Sequence, residues 1–210
     1  MNSEITGIIL AGGKSSRMGS NKSLLTLNDK TVIEVVVDLM KSIFSKVIII
    51  TNASEEYSFL NLPMYRDIYL DMGPLAGIHS ALANSATEKN FIISCDMPLM
   101  STEMIKYIIS NLSEKSITVC VANGFIEQLA GVYSKSVLPK VEELLKGKLK
   151  KLNQTKQKYS VLSLLQPEIT EYLQVEKLSI YNKYLFFNMN NVEDYKSIIQ
   201  IFNKEDKTNI

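Results

Sequence analysis

LAGGKSSRMGSNK, residues 10–22, decides how the rest of the chain is read. It follows the β-like run Ile5-Thr6-Gly7-Ile8-Ile9 and precedes a helix-like run over residues 31–44. A strand, a glycine-rich turn with Arg17 and Lys22, and then a helix is a plan for holding phosphates. Glycine lets the backbone approach an anion with no Cβ in the way. Free amides can then cradle the anion while the cations balance its charge. The stretch is not a Walker loop, and it lacks the Gly-x-Gly-x-x-Gly dinucleotide fingerprint. Glycines after a strand can also form an idle tight turn, but an idle turn needs no cations.

Outward from this loop, strands and helices alternate. Residues 5–10 suit a strand covered on both faces. Thr31 fits an N-cap with Glu34 as its capping-box partner, ahead of Val32, Ile33, Val36, Leu39, Met40 and Ile43 at helical spacing. Strands are expected at residues 46–51, 64–66, 91–95, 117–121, 128–133 and 185–188. Helices are expected at 75–84 behind Pro74, at 102–111 with Thr102 as cap, at 137–146 and at 192–202. Residues 160–165 read as a short helical piece, residues 169–178 give no clear pattern, and 204–210 read as a frayed tail. Such alternation implies right-handed βαβ crossovers and a mostly parallel sheet in one α/β domain. Ligands of such sheets bind beyond the carboxyl ends of the strands. The glycine loop, Asn52, Asp67, Asp96 and Asn188 all follow strand-like runs, so one rim should collect them.

Composition narrows the function classes. The chain has 210 residues, with 23 basic against 22 acidic side chains and a net charge of +1. A nucleic-acid or membrane-surface binder normally carries a basic excess. No apolar run reaches bilayer length, and the first residues lack the basic and apolar parts of a signal peptide. Cys95 and Cys120 have no metal-motif spacing and fit buried free thiols of a cytoplasmic protein.

Asp96 ends an apolar strand and precedes Met97-Pro98. A carboxylate there suits Mg²⁺ beside a phosphate ligand, and it equally suits a helix cap. Asp67 and Asn52 are either turn residues or partners of a bound base or sugar. Asn188 and Asn190 sit where turns favour asparagine. His79, the single histidine, reads as structural, and no Ser-His-Asp or Cys-His set can be built around it. Residues 146–158 hold six lysines and no acid, the pattern of a solvated face or of a lid for an anionic substrate.

These pieces resemble the molybdenum cofactor guanylyltransferases. Residues 10–19 with Lys22 look like that family's L-A-G-G-x-S-x-R-M-G-x-D-K signature. Residues 73–78 resemble its G-P-L-A-G stretch, residues 95–98 match its C-D-M-P, and residues 187–194 resemble its F-x-N-x-N-T-P-E-D. The resemblance implies a single Rossmann-like three-layer α/β/α nucleotidyltransferase domain over about residues 1–203. A nucleotide-binding half would cover about 1–100 and a molybdopterin-side half about 101–203. The implied reaction transfers GMP from GTP to molybdenum-molybdopterin, with Mg²⁺ as cofactor and pyrophosphate as second product. In this scheme Leu10, Ala11, Gly12 and Gly13 line the nucleotide, and Arg17 and Lys22 face its phosphates. Asn52 and Asp67 contact the nucleotide, Gly73 and Gly77 shape the pocket, and Asp96 holds Mg²⁺. Asn188 and Asn190 lie towards the molybdopterin. Other cofactor-biosynthesis proteins and molybdoenzyme chaperones are the implied protein partners. Two departures stand out: Asn21 replaces the acid before the lysine, and Asn191-Val192 replaces Thr-Pro. Nothing in the residues themselves selects guanine, so a CTP-using relative and an inactive nucleotide-binding regulator stay open.

Overall fold

The computed structural model describes residues 2–12, 21–151 and 160–208. Its centre is β1 (Ile5–Leu10), buried along its whole length. A short hairpin follows, β2 (Thr26–Leu27) and β3 (Lys30–Thr31), turned by Asn28 at φ 56°. It delivers the chain into α1 (Val32–Ile43). Thr31 caps this helix as its sequence demands: its hydroxyl accepts from the Glu34 amide, and Glu34 Oε2 accepts from the Thr31 amide at 2.7 Å. Then come β4 (Val47–Ile50), β5 (Met64–Tyr65), α2 (Pro74–Asn84) and β6 (Lys89–Ser94). The second half holds α3 (Thr102–Ser110), β7 (Ile117–Ala122), β8 (Phe125–Ser134), α4 (Leu138–Lys151), β9 (Thr170–Gln174) and α5 (Val192–Thr208).

Seven strands form one sheet in the order β5-β4-β1-β6-β8-β7-β9. The β4–β5, β1–β4, β1–β6 and β7–β9 pairings are parallel; both antiparallel pairings belong to β8. The sheet is sandwiched by helices. Ile33, Val36 and Met40 of α1 and Met104 and Ile108 of α3 pack on one face with Ile9, Phe91 and Ile93. Leu75, Ile78 and Leu82 of α2 and Val141 and Leu145 of α4 pack on the other with Ile8, Ile92 and Ile117. This is the expected three-layer α/β/α domain with a mostly parallel sheet. Among the described residues no helix is long and apolar enough to cross a membrane.

Three expectations are corrected. The last strand is not at residues 185–188. That apolar run is folded by turn bonds, Leu185 N–H to Asn182 C=O and Phe187 N–H to Tyr184 C=O, so Leu185 and Phe186 are buried without a ladder. The edge of the sheet is instead β9, in the segment whose pattern was unreadable. The cap of α3 is Ser101, whose hydroxyl accepts from the Met104 amide at 3.2 Å; Thr102 is already helical. Finally, α5 continues through Thr208, into residues that read as a frayed tail.

Candidate active site

β1 and β6 run parallel and end side by side, Leu10 opposite Ser94. The turn after each therefore lands on the same rim, as the topology requires. After β1, Ala11 N–H donates to Ile50 C=O at 2.9 Å, and Leu10 C=O accepts from Cys95 N–H at 3.1 Å. Those groups belong to the sheet. Any amide cradle after β1 therefore begins at Gly12, where a Cβ would meet nothing within 4 Å among the described residues. Gly13 and Arg17 lie outside the described residues.

The chain re-enters at Asn21 and Lys22. Asn21 Oδ1 accepts from the Ser23 amide and hydroxyl, capping a short 3₁₀ turn, Lys22–Leu24. Its Nδ2 donates to Glu56 Oε2 at 2.7 Å and to the Tyr57 hydroxyl at 2.8 Å. An amide suits position 21 because it can both cap this turn and donate to the Glu56 carboxylate.

Lys22 reaches the end of β6. Its Nζ donates to Asp96 Oδ2 at 2.5 Å and to the Met189 carbonyl at 2.8 Å. Ser94 Oγ donates to Asp96 Oδ1 at 2.5 Å, and the Met189 amide donates to Asp96 C=O at 2.9 Å. Three segments distant in sequence therefore meet at one junction. Asp96 is 10 % exposed at its side chain and Lys22 22 %, so the pair borders solvent while being held from below. The neighbouring Cys95 thiol is pushed up to about 12 by burial and by the Asp96 charge, which leaves it inert.

Asn52 follows β4 and Asp67 follows β5, and these strands pair. The two side chains clasp each other. Asn52 Nδ2 donates to Asp67 Oδ2 at 2.9 Å, and the Asp67 amide donates to Asn52 Oδ1 at 3.0 Å. Asp67 Oδ1 is buried and has no hydrogen-bond partner among the described residues. Burial raises the Asp67 pKa, against the opposing effect of the Asn52 bond. A carboxylate oxygen held in this way needs a donor from elsewhere.

Gly73 caps α2 at φ +76°, a conformation that suits glycine, and Pro74 takes the first helical position. The N-terminus of α2 thus opens on the rim after β5. Gly77 packs against Leu10, which would lie 3.3 Å from an added Cβ. On the other side, Asn188 Nδ2 donates to Phe186 C=O and Asn190 Nδ2 to Asn188 C=O, both at 3.3 Å. At the start of α5 the Asp194 amide donates to Asn191 Oδ1 at 2.9 Å and the Asn191 amide to Asp194 Oδ2 at 3.1 Å. Asn191 therefore supplies the cap that a threonine would supply, which accounts for the second departure.

Among the described residues no three His, Cys, Asp or Glu side chains converge to form a metal cage. The donor set suits a hard cation of another kind. Mg²⁺ is commonly held by one or two carboxylates, with substrate phosphates and water completing its shell. Among the described residues each Asp96 oxygen accepts one of the two hydrogen bonds open to it.

The description "MobA-like NTP transferase domain" fits residues 7–160. A probable molybdenum cofactor guanylyltransferase of Carboxydothermus hydrogenoformans is 38% identical over 202 residues, covering 96% of this chain and 98% of that one. The chain belongs to the MobA-like NTP transferase family. It is a nucleotidyltransferase. A protein of the same name from Aquifex aeolicus is 37% identical and covers 94% of this chain and 92% of its own. The solved molybdopterin-guanine dinucleotide biosynthesis protein A of Archaeoglobus fulgidus superposes at a TM-score of 0.77 over 95% of this chain and all of its own, at 22% identity, and so shares the fold. For a MobA-like NTP transferase, the strand-end rim carries a cation and a carboxylate, Lys22 and Asp96, in direct contact. Sequence reasoning missed Ser94, the Met189 carbonyl and Glu56. Ser94 closes β6 two residues before the anticipated Asp96 and could have been found by that spacing; a main-chain carbonyl leaves no trace in residue identity. His79 is buried, 3.5 Å from Glu142 Oε1 and edge-on to Tyr69 at 4.9 Å.

Proposed function

We propose that the chain transfers GMP from GTP to the terminal phosphate of molybdenum-molybdopterin, giving molybdopterin guanine dinucleotide and pyrophosphate. The observation that carries this reading is the Lys22–Asp96–Met189 junction. It sets a cation and a carboxylate between the glycine-loop end and the segment holding Asn188 and Asn190. The relatives' name, molybdenum cofactor guanylyltransferase, supports the choice of donor and acceptor.

The nucleoside end lies over β4 and β5, where Asp67 Oδ1 accepts from the bound nucleoside and Asn52 fixes the carboxylate that does so. The phosphates run along Gly12, Gly13 and the N-terminus of α2 behind Gly73 and Gly77, with Arg17 and Lys22 facing them. Lys22 trades its contact with Asp96 for a phosphate oxygen and keeps the Met189 carbonyl. Asp96, freed on one side and still anchored by Ser94, would hold Mg²⁺. When bound, that ion neutralises charge on the phosphates and on departing pyrophosphate. The acceptor phosphate enters from the Asn188 and Asn190 side and attacks the α-phosphorus in line. It is already ionised near neutral pH, so no general base is needed. Catalysis then consists of positioning and charge stabilisation, which explains a site without a reactive histidine.

The test is pyrophosphate release with molybdenum-molybdopterin and GTP, CTP or ATP in parallel. GTP is expected to be used and the others poorly; CTP preference would overturn the base assignment, and no release with any would overturn transfer. Asp96→Asn is expected to lose on the order of 10²-fold in kcat. Unchanged turnover of that variant at limiting Mg²⁺ would remove Asp96 from the metal site.

A further inference from the structure

Glu127 lies on the rim and takes no part in the chemistry above. It stands near the start of β8, opposite Cys120 of β7. Three features place it. The β6–β8 ladder ends at Ile93–Ala130, while β7 and β8 stay paired to Ala122–Phe125. The sheet therefore splits at the rim, with Asp96 following the β6 edge and Glu127 on the β8 edge. Between the pairs Val119–Gly131 and Cys120–Glu127, residues 128–130 bulge from β8 with no partner on β7. That bulge is pinned: the buried Tyr133 hydroxyl donates to the Gln128 carbonyl at 2.5 Å, and at its base Gly131 lies so near β7 that a Cβ would sit 2.5 Å from the Thr118 carbonyl. A bulge beside a site is a common way of aiming a side chain.

Glu127 is partly buried and has no hydrogen bond or ion pair among the described residues. Desolvation pushes its carboxyl up to about 7, and its charge is felt by the Cys120 thiol and the Tyr181 hydroxyl. Tyr181 is itself tied to Asn123, and Asn123 to the Lys183 carbonyl, so the turn between β7 and β8 is joined to the segment leading to Asn188. Asp67 and Asn52 stand at the opposite end of the sheet, beyond β1. Glu127 is thus on the far side of Asp96 from the nucleoside end. A partly desolvated carboxylate with no partner is suited to a ligand edge that presents two N–H donors.

We propose that Glu127 recognises the acceptor's pterin, its carboxylate accepting from the ring N–H and the exocyclic amino group of the 2-amino-4-oxopyrimidine edge. This rests on molybdopterin as acceptor. Such donors lower the carboxyl pKa on binding, because they favour the charged form. A site that hydrogen-bonds a donor also rejects an analogue lacking it, since the buried acceptor is left unpaired.

The experiment compares wild type with Glu127→Gln at pH 8 by steady-state kinetics and by inhibition. The probes are pterin-6-carboxylate and lumazine-6-carboxylate; the second carries an oxo group in place of the amino group. The variant is expected to raise KM for molybdenum-molybdopterin about 10–100-fold, with KM for GTP close to wild type and a melting temperature no lower than wild type. Wild type should bind the pterin at least about tenfold more tightly than the lumazine, and the variant should lose that difference. A wild type that transfers GMP to molybdopterin, with a variant that keeps acceptor KM and pterin preference, would overturn the role of Glu127 alone. A variant that loses kcat with altered Mg²⁺ dependence at unchanged acceptor KM would overturn it in favour of a metal contact. A wild type that transfers to no pterin acceptor would overturn the function reading itself, and the pterin role with it.

Discussion

Asn21 shows how one amide can settle a local charge problem. It caps the turn holding Lys22 and donates to Glu56. Asn21→Asp would keep the cap but set two carboxylates in contact. The expected result is about 1 kcal/mol of lost stability in urea titration and a several-fold rise in KM for GTP. Glu56→Gln in the same chain should restore both, and a double variant no better than the single would exclude this pairing. Glu127 makes a second prediction, in pH. Its carboxyl is raised from 4.5 to about 7 in the folded chain. The folded state thus binds the proton more tightly, and the stability this confers is full below about pH 4.5 and lost as pH rises towards 7. Glu127→Gln should match wild type at pH 4 and exceed it by about 1–2 kcal/mol at pH 8, after allowance for solvent screening of a partly exposed group. An equal stability difference at both pH values would contradict the desolvation. Asp67 gives a third: Asp67→Asn removes the charged acceptor at its buried Oδ1 and should weaken GTP binding about tenfold or more by calorimetry, with kcat little changed.

The elements were legible where local chemistry fixes them. β1 and α1 follow from a continuous apolar run and from a capping box, and Thr31→Ala should cost about 1 kcal/mol in thermal unfolding. Legibility failed where long-range partners decide. Leu185, Phe186 and Phe187 carry the apolar pattern of a strand yet fold into turns, while β9, on a sequence of mixed pattern, pairs with β7 at the edge. The same division runs through the site. Lys22 and Asp96 could be singled out because cation and carboxylate each end a strand-to-turn segment. Their mutual contact, and the role of Met189 C=O, depend on the fold of the whole chain. Glu127 gave no sequence signal, because only the bulge at residues 128–130 and the divergence of β6 from β8 single it out.

For the molecule as a whole, the C-terminal segment is part of the N-terminal half. Met189 and Ile198 pack with Leu27 and Val32, and the Tyr195 hydroxyl donates to the Thr26 carbonyl at 2.6 Å. Ile198→Ala should destabilise the chain by about 2–4 kcal/mol in denaturant titration. It should also weaken GTP binding, because Ile198 packs in the same cluster as Met189, whose carbonyl holds Lys22; intact GTP affinity in a destabilised variant would separate the packing from the site. The lysine of the glycine loop finds its carbonyl 167 residues later in the chain. During synthesis the loop, β1 and β6 are all made long before residue 189 emerges. A nascent chain cannot assemble the Lys22–Asp96–Met189 junction until residue 189 has been made, so β1, β6 and the turns after them must wait for a segment almost a whole domain further on.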